Sequence, residues 1–268
     1  MPSTSSKPAR EANRASGTAI GAGSQTLMRG LDLIESVASR TKTLAELEGD
    51  LGLAKSTLHR LASALVDRGY LAFTPRAGYR LGPKLLELGF MAQAQADLVQ
   101  VAREHLERLA ADTEDTVHLG VLSDGQALYL DKVAGSRRIT ISSRVGDRQP
   151  LSSTGLGKAL MLDRPESFWR ERFDAEQADG ADLRDQWIER MRGYRQAGRS
   201  FDLEENEDRI RCVAAPVRDA SGGIVGAISV SGAAQYMDDA RMDALSSTVR
   251  EAAAAIGREL GWVPEPPR

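Results

Sequence analysis

The sequence predicts an α+β protein with an N-terminal winged helix-turn-helix domain, a linker helix and a C-terminal domain of strands and helices. Three observations predict it. Residues 24–82 contain three short amphipathic helical stretches followed by one hairpin pattern. Residues 83–111 are a continuous stretch rich in Leu, Ala, Glu and Gln. Residues 112–268 combine alternating apolar runs, glycine turns and helical periodicity, which is typical of an antiparallel sheet packed with helices.

The composition is that of a globular protein. The chain has 268 residues, 41% hydrophobic and 27% charged, which is enough for two domains with separate cores. No apolar run reaches the roughly 18 residues of a membrane helix, so we expect no contact with a membrane. Residues 1–23 are polar, lack the apolar centre of a signal peptide and predict a disordered tail. The single cysteine, Cys212, excludes an internal disulfide and fits a cytoplasmic protein.

The charge is distributed unevenly along the chain. Residues 1–90 carry 12 Lys and Arg against 8 Asp and Glu, whereas the remaining residues carry 23 against 30. A basic module joined to an acidic one indicates that only the first part meets a polyanion. The signal is weak by itself, because three of the 12 cations lie in the tail.

Apolar spacing and cap residues predict the first two helices. The first helix carries apolar residues at three- and four-residue steps: Leu27, Leu31, Ile34 and Val37. Ser24 or Thr26 is available as its N-cap. Thr43 and Glu46 have the capping-box spacing at the start of the second helix, and Gly52 can take the left-handed conformation that ends it.

A third helix and a hairpin complete the first domain. The core stripe of the helix is Leu58, Leu61, Leu65 and Val66. Gly69 ends it, and two apolar runs around the turn "TPRAG" predict a hairpin that serves as the wing. One feature departs from the motif, since the position four before the turn glycine is normally small and is Glu48 here. Either the second helix is shifted by one residue or Glu48 points to solvent.

The start of the third helix is polar and basic, and this is the part of the motif that meets base edges and phosphates in the major groove. Arginines on the wing are placed for phosphate or minor-groove contacts. The alternative is a small helical domain with an ordinary solvated charged face. We favour DNA binding because turn chemistry, helix lengths and charge agree. The predicted DNA-binding residues are Arg29, Thr43, Lys55, Ser56, Thr57, His59, Arg60, Arg76 and Arg80.

Three segments carry a family resemblance. "LAELEGDLGLAKSTLHRLASALVDRGYL" followed by "GYRLGPKLLELG" resembles the N-terminal half of the isocitrate-lyase-regulator (IclR) family of bacterial transcription factors. "RVGDRQPLSSTGLGKALM" and "DLEENEDRIRCVAAPVRDASGGIVGAISVSG" resemble its C-terminal half, so the resemblance runs from about residue 25 to residue 260. It implies a winged helix-turn-helix, a linker helix and a GAF-like effector-binding domain. It also implies homodimers, often paired into tetramers, that bind palindromic operators near catabolic genes.

The connector begins at Pro83 and is predicted as one long helix, or two in sequence, up to about Ala111. Its apolar stripe contains Leu85, Leu88, Gly89, Ala92, Leu98, Val101, Leu106 and Leu109. Such a stripe either packs on its own domain or pairs with a second copy of the chain. We favour pairing, because DNA half-sites require a protein with two-fold symmetry.

The C-terminal part predicts an antiparallel sheet with helices packed on one side of it. Residues 116–133 give a strand, an Asp-Gly turn and a strand, and residues 137–146 give a third strand. Residues 212–232 give a second hairpin. The predicted helices are 155–162, two within 165–172 and 182–197, and a last one over 239–260.

The segment "LSSTGLGKALM" contains G-x-G-K without being a phosphate loop. A phosphate loop needs glycine where Ser152 stands and a hydroxyl residue where Ala159 stands, and no third glycine completes a dinucleotide fingerprint. What remains is a helix start rich in hydroxyl groups. It is either an anion site that suits a small carboxylate or simply a helix capped by Ser153 or Thr154. Lys158 is expected on the helix surface.

The resemblance implies an effector pocket formed by Thr154, Gly155, Asp202, Cys212, Ser229 and Ser231. Ser229 and Ser231 are two residues apart on one strand, so both hydroxyls point to the same face. Leu156 adds apolar surface, and the mixture predicts a small carboxylate effector such as a sugar acid, a keto acid or an aromatic acid. Alternatively, Asp202 belongs to a solvated acidic run and Cys212 is a small buried hydrophobe.

Nothing in the sequence indicates catalysis, a metal or a cofactor. The three histidines, His59, His105 and His118, lie on separate elements without metal-ligand spacing, Cys212 has no zinc-binding partners, and His118 is expected to be half-buried. No nucleophile elbow is present. Together with the family resemblance, which implies a transcriptional regulator of catabolic genes, this predicts a repressor that is not an enzyme. The alternatives are a hydrolase or transferase using Cys212, and a DNA-binding protein without a ligand.

Overall fold

The computed structural model describes residues 22–139, 141–177 and 183–264, and these divide into two compact units between Ala94 and Gln95. Most of the predicted tail, residues 1–21, lies outside the described residues. The first helix begins at Ala22, so the expectation that Ser24 or Thr26 caps it is wrong. Both residues lie inside the first turns of the helix, because it starts earlier than its apolar stripe.

The first unit is the predicted winged helix-turn-helix. Its buried core joins all three helices and the wing through Leu33, Leu47, Leu58, Leu71 and Tyr79. The elements are α1 (Ala22–Ser36), α2 (Leu44–Leu51), α3 (Lys55–Asp67), β1 (Leu71–Thr74), β2 (Gly78–Leu81) and α4 (Pro83–Gln95).

Local caps set the turn between α2 and α3. The Thr43 hydroxyl accepts a hydrogen bond from the Glu46 amide, and the Glu46 carboxylate accepts one from the Thr43 amide, which is the predicted capping box. Gly52 ends α2 at φ 62°, in the left-handed region that glycine adopts without strain. Glu48 is exposed, so the unusual residue before the turn points to solvent and the helix is not shifted.

The connector is two helices. Asp97 caps α5 (Leu98–Thr113) by accepting hydrogen bonds from the amides of Val99 and Gln100, and this cap begins a new helix two residues after α4 ends. The large exposed apolar side chains of α4 are Leu86, Leu88, Phe90 and Met91. Only Leu88 belongs to the stripe that the sequence predicted.

The second unit is built on a six-stranded antiparallel sheet in the order β5-β4-β3-β8-β7-β6. Both predicted hairpins are confirmed: β3 pairs with β4, and β7 pairs with β8. The strands are β3 (Thr116–Ser123), β4 (Gln126–Val133), β5 (Arg148–Gln149), β6 (Ser200–Leu203), β7 (Ile210–Arg218) and β8 (Ile224–Ala233). The remaining helices are α6 (Gly155–Leu160), α7 (Glu166–Glu176), α8 (Arg184–Ala197) and α9 (Asp239–Glu259).

The predicted third strand over 137–146 is wrong. Its described residues, all but 140, are irregular, and the edge of β4 pairs instead with Arg148 and Gln149. The Lys132 ammonium donates hydrogen bonds to the carbonyls of Ile141 (2.7 Å) and Ser143 (2.6 Å). Because a side chain takes these carbonyls, alternating apolar residues form a loop here and not a strand of the sheet.

Helices cover both faces of the sheet, and the expectation of helices on one side is wrong. One face packs against α5 and α9 through residues such as Val213, Ile228 and Val249. The opposite face packs against α6, α7 and α8, with Ala214 and Trp187 in that core. Successive residues of β7 therefore enter different cores, because side chains alternate along a strand. Among the described helices, none combines the length and apolar character needed to cross a membrane.

Candidate functional site

The first candidate surface is the start of α3. Lys55, Ser56, His59 and Arg60 are exposed there, whereas Thr57 is half-buried and Leu58 lies in the core. The N-cap residue, Ala54, makes no side-chain hydrogen bond, so no side chain caps the first turn. An uncapped helix start with cations around it offers amide N–H groups and positive charge to an anion.

The other residues predicted to contact DNA lie on three elements of the same unit. Arg76 is exposed in the turn of the wing at φ 69°, and Arg80 is exposed on β2, where it donates to the Leu81 carbonyl. Arg29 is half-buried on α1. The hydroxyl of Thr43 is engaged in the capping box, so this exposed residue also caps α2.

The second candidate site is a cavity of about 420 Å³ on the face of the sheet that carries α6. Six of the seven predicted effector residues line it: Thr154, Leu156, Asp202, Cys212, Ser229 and Ser231. Gly155 lies behind this wall, where any Cβ atom would overlap Cys212 Sγ. The sequence did not indicate the remaining lining residues, which are His118, Tyr129, Ile141, Ser142, Ser143, Asp147, Gln149, Pro150, Asn206, Glu207 and Ile210.

Strand register explains how these residues meet. Ser231 of β8 pairs with Cys212 of β7, which pairs with Asp202 of β6, so three polar groups form one row across the sheet. In the next row His118 of β3 lies between Ser229 and Lys132. Period-two alternation could have suggested the pocket-facing residues of one strand, but the partner strands come from distant parts of the sequence.

A bulge in β4 adds residues that periodicity could not predict. Gly120 pairs with Tyr129, and the preceding Leu119 pairs with Asp131, so Leu130 is an extra residue in the ladder. Tyr129 and Lys132 consequently share the cavity face although they are three residues apart. The pKa of Tyr129 is raised by burial.

The Cys212 thiol is buried and protonated. Burial and the neighbouring Asp202 carboxylate raise its pKa to about 12. A thiol acts as a nucleophile only as a thiolate, so this environment opposes the hydrolase or transferase alternative. Cys212 is a small buried side chain in the cavity wall.

Asp202 is buried, so it does not belong to a solvated acidic run. Burial raises its pKa to about 6, although the Lys158 ammonium and the hydrogen bond from the Glu205 amide (2.9 Å) both lower it. The carboxyl group therefore changes charge close to neutral pH. Its position opposite Cys212 gives the cavity an acidic end.

The start of α6 is capped by its own chain. The Thr154 hydroxyl accepts a hydrogen bond from the Gly157 amide (3.0 Å) and donates one to the Pro150 carbonyl (2.7 Å). The expectation that Lys158 lies on the helix surface is wrong, since it is 1% exposed and bonds to the Phe201 carbonyl and the Glu205 carboxylate. All six residues of α6 are buried, because the helix packs against the sheet and shares a core with α7 and α8.

His118 is buried, not half-buried as expected, and its charge is suppressed. Burial and the Lys132 ammonium lower its pKa to about 3, so the imidazole is neutral at physiological pH. None of the residues lining the cavity in the described structure is Lys or Arg, and three of them are acidic: Asp147, Asp202 and Glu207. Within the described ranges, no group of His, Cys, Asp or Glu side chains is arranged to hold a metal ion.

The comparison with known families matches nearly the whole chain. Residues 26–75 match the profile described as "IclR helix-turn-helix domain". Residues 90–258 match the profile described as "Bacterial transcriptional regulator IclR C-terminal". The two profiles correspond to the two units of the structure.

Similar proteins are transcriptional regulators by name. The HTH-type transcriptional regulator XynR of Escherichia coli is 33% identical over 238 residues, which cover 87% of this chain and 94% of that protein. The HTH-type transcriptional regulator BhcR of Paracoccus denitrificans is 34% identical over 252 residues, covering 90% and 87%. The DNA-binding transcriptional repressor YiaJ of Escherichia coli is 31% identical over 252 residues, covering 90% and 89%.

Solved structures share the fold. The Agobacterium tumefaciens repressor BlcR is 26% identical with a TM-score of 0.75, covering 89% of this chain and 97% of that one. Pseudomonas aeruginosa HmgR has a TM-score of 0.78 at 23% identity, covering 89% and 98%. The arrangement of elements is therefore that of a known group of two-domain proteins.

Proposed function

The chain belongs to the IclR family of bacterial transcriptional regulators, and on this premise we propose that it represses catabolic genes until a small carboxylate metabolite binds its C-terminal domain. As a member with a helix-turn-helix domain, it is a DNA-binding regulator and not an enzyme. In this proposal residues 24–82 form the DNA-binding domain and residues 112–268 form the GAF-like effector-binding domain. Residues 83–111 link the two domains. The protein acts in the cytoplasm, where its operator lies.

The observation that carries the DNA-binding part is the start of α3. Its first turn lacks a side-chain cap, and Lys55, Ser56, His59 and Arg60 are exposed around it. Base edges are read by such side chains, and phosphates are held by cations and helix-start amides. The proposed contact set is completed by Arg29, Thr43, Thr57, Arg76 and Arg80.

The cavity supports a small polar effector. Its volume, about 420 Å³, lies in the range of metabolite sites, which is roughly 300–1,000 Å³. Hydroxyl, amide and carboxyl groups dominate the lining, and they suit the many hydroxyls of a sugar acid better than an aromatic or keto acid. The proposed effector residues are Thr154, Gly155, Leu156, Asp202, Cys212, Ser229 and Ser231.

Apolar side chains on α4 support a homodimer. No residue of α4 is buried within its unit, and Leu86 and Phe90, one turn apart, are 66% and 64% exposed. A second copy covering them would present two recognition helices to a palindromic operator. Two such dimers can pair into a tetramer. The effector controls repression only if it binds one arrangement of the dimer more tightly than another.

DNA binding is tested by selection from random-sequence duplexes with the full-length protein. We expect an enriched inverted repeat, with half-sites separated by about one or more helical turns of DNA. Failure to enrich any sequence at moderate salt would overturn the DNA-binding part.

Effector binding is tested by thermal shift with D-gluconate, D-galacturonate, pyruvate and 4-hydroxybenzoate, using D-glucose and D-galactose as neutral controls. We expect a sugar acid to raise the melting temperature and to weaken binding to the selected DNA by about tenfold, a common size for allosteric coupling. If no acid in the panel stabilises the protein, the effector part is rejected and the ligand-independent alternative stands.

A further inference from the structure

His118 lines the cavity, and one of its ring nitrogens has no hydrogen-bond partner among the described residues. The residue is 1% exposed, lies on β3 and lines the cavity. Its ring stacks on Tyr129, with centroids 4.8 Å apart and planes inclined by 24°. Its Nε2 lies 2.7 Å from Ser143 Oγ, whereas Nδ1 is buried and makes no hydrogen bond to the described residues.

The ring is fixed on every side except at Nδ1. Tyr129 holds its face, and Ser143 holds the opposite nitrogen. The backbone of Ser143 is also fixed, since its carbonyl accepts a hydrogen bond from the Lys132 ammonium. A buried polar atom is normally paired, so an unpaired nitrogen on a residue that lines the cavity is a candidate partner for a bound ligand.

The charges around the cavity indicate which end of a ligand meets this nitrogen. Lys132 is the neighbour of His118 in the sheet, whereas Asp202 lies on β6, three strands away from β3. Of the other two acids that line the cavity, Glu207 lies in the segment between β6 and β7, and Asp147 accepts a hydrogen bond from the Arg144 amide at 2.7 Å. An anionic group is repelled by the Asp202 end and attracted by the Lys132 ammonium, and hydroxyls suit the acidic end.

We propose that His118 is a specificity-determining residue whose Nδ1–H donates a hydrogen bond to the acidic group of the effector, with the Ser143 hydroxyl donating to Nε2 and fixing that tautomer. This inference rests on the proposed effector function. The neutral ring agrees with it, because a neutral imidazole has one donor and one acceptor nitrogen. The residue thereby selects sugar acids over the corresponding neutral sugars.

Two substitutions separate the nitrogens. His118→Asn keeps an amide near the position of Nδ1, whereas His118→Gln places its amide near the position of Nε2 and keeps the contact with Ser143. The probe is whichever of D-gluconate and D-galacturonate stabilises the wild type more, and its affinity is measured by calorimetry with the full chain. We expect H118Q to weaken binding of the acid by about 10- to 100-fold, which corresponds to the loss of one charge-assisted hydrogen bond. H118N should remain within about threefold.

Selectivity and tautomer provide independent readouts. The matching neutral sugar should bind wild type and both variants equally weakly. In the ligand-free wild type, labelled with ¹⁵N-histidine, the three histidines give few signals, and the one lost in H118N should show the Nδ1–H tautomer. The tautomer is read on the folded wild type, and either variant serves only to assign the His118 signal.

Two results would overturn the assignment while leaving the effector function standing: equal acid affinity in wild type and H118Q, or an Nε2–H tautomer in the wild type. If the wild type binds neither acid, the effector function fails and this assignment fails with it. The two failures are therefore distinguishable.

Discussion

Gly155 lies directly against the thiol of Cys212: a Cβ atom at residue 155 would overlap Cys212 Sγ and lie 3.2 Å from the amide nitrogen of Asp202. The first residue of α6 thus packs against the row of Cys212 and Asp202 without any intervening atoms. This close approach explains why the helix begins with glycine.

Gly155→Ala should therefore destabilise the protein and distort the cavity. Overpacking of a tight core costs about 1–3 kcal/mol, and we expect a loss of that size in the free energy of unfolding measured with urea. Cys212→Ala in the same chain removes the overlapping sulfur and should recover much of the loss. The control is Gly193→Ala on α8, where nothing lies within 4 Å, and which should be neutral or stabilising. Equal effects of the two alanines would refute the packing argument.

Arg60→Ala should weaken specific DNA binding while leaving the fold intact. Arg60 is exposed on α3 in the part that meets bases, and a bidentate contact to a base contributes about 1–3 kcal/mol. We expect affinity for the selected operator to fall by at least about tenfold in fluorescence anisotropy. Arg68→Ala, at the other end of the same helix, is the control and should change affinity little. Undiminished operator affinity in R60A would remove Arg60 from the contact set.

Phe90→Asp should disrupt the proposed dimer. Phe90 is 64% exposed on α4, and a carboxylate there would have to be buried against the second copy without a partner. We expect sedimentation analysis to show a larger monomer fraction and operator binding to weaken in parallel. The control is Leu183→Asp, a comparably exposed apolar residue (58%) in the second unit. An unchanged oligomer distribution in F90D would argue against pairing through α4.

Asp202→Asn should change stability in a pH-dependent way. Burial raises the pKa of Asp202 to about 6 from its ordinary value of 3.8, so folding takes up a proton between these pH values. The native state therefore gains stability as pH falls from 6 to 4, and it carries the cost of a buried charge above pH 6. We expect D202N to be more stable than wild type at pH 7.5 by up to about 3 kcal/mol, with the difference vanishing near pH 4.

Urea unfolding at pH 4.5 and pH 7.5 measures this difference. Asp208→Asn is the control, because Asp208 is an exposed acid of the same acidic segment. The stability difference between D208N and the wild type should be the same at both pH values. A stability difference for D202N that is the same at both pH values would contradict the raised pKa.

Local chemistry predicted much of the secondary structure. Thr43 and Glu46 form the capping box at the start of α2. The Asp124–Gly125 turn joins β3 to β4, with both residues at positive φ. These features depend on neighbours within a few residues, so they can be read from the sequence. The same holds for the exclusion of a phosphate loop at Ser152 and Ala159, since that motif is defined by consecutive residues.

Several features of the cavity depended on contacts between distant residues. Lys158 was expected at the surface because lysine usually is, yet its partners, Phe201 and Glu205, lie more than 40 positions away. The bulge at Leu130 shifts the side-chain alternation of β4 and brings Lys132 to the cavity face. Neither feature leaves a signal in the local pattern.

The sequence by itself determined the helix-turn-helix and the two hairpins of the second unit, because caps, turns and apolar periods act over a few residues. The family followed from the resemblance of three sequence segments. Through the resemblance the sequence also predicted that Asp202, Cys212, Ser229 and Ser231 share one pocket, and all four line the cavity. Only the tertiary structure decided that helices cover both faces of the sheet, that residues 137–146 form a loop, and that His118 faces the cavity. Strand order and register, which join residues far apart in the chain, decide these features, and no local pattern encodes them.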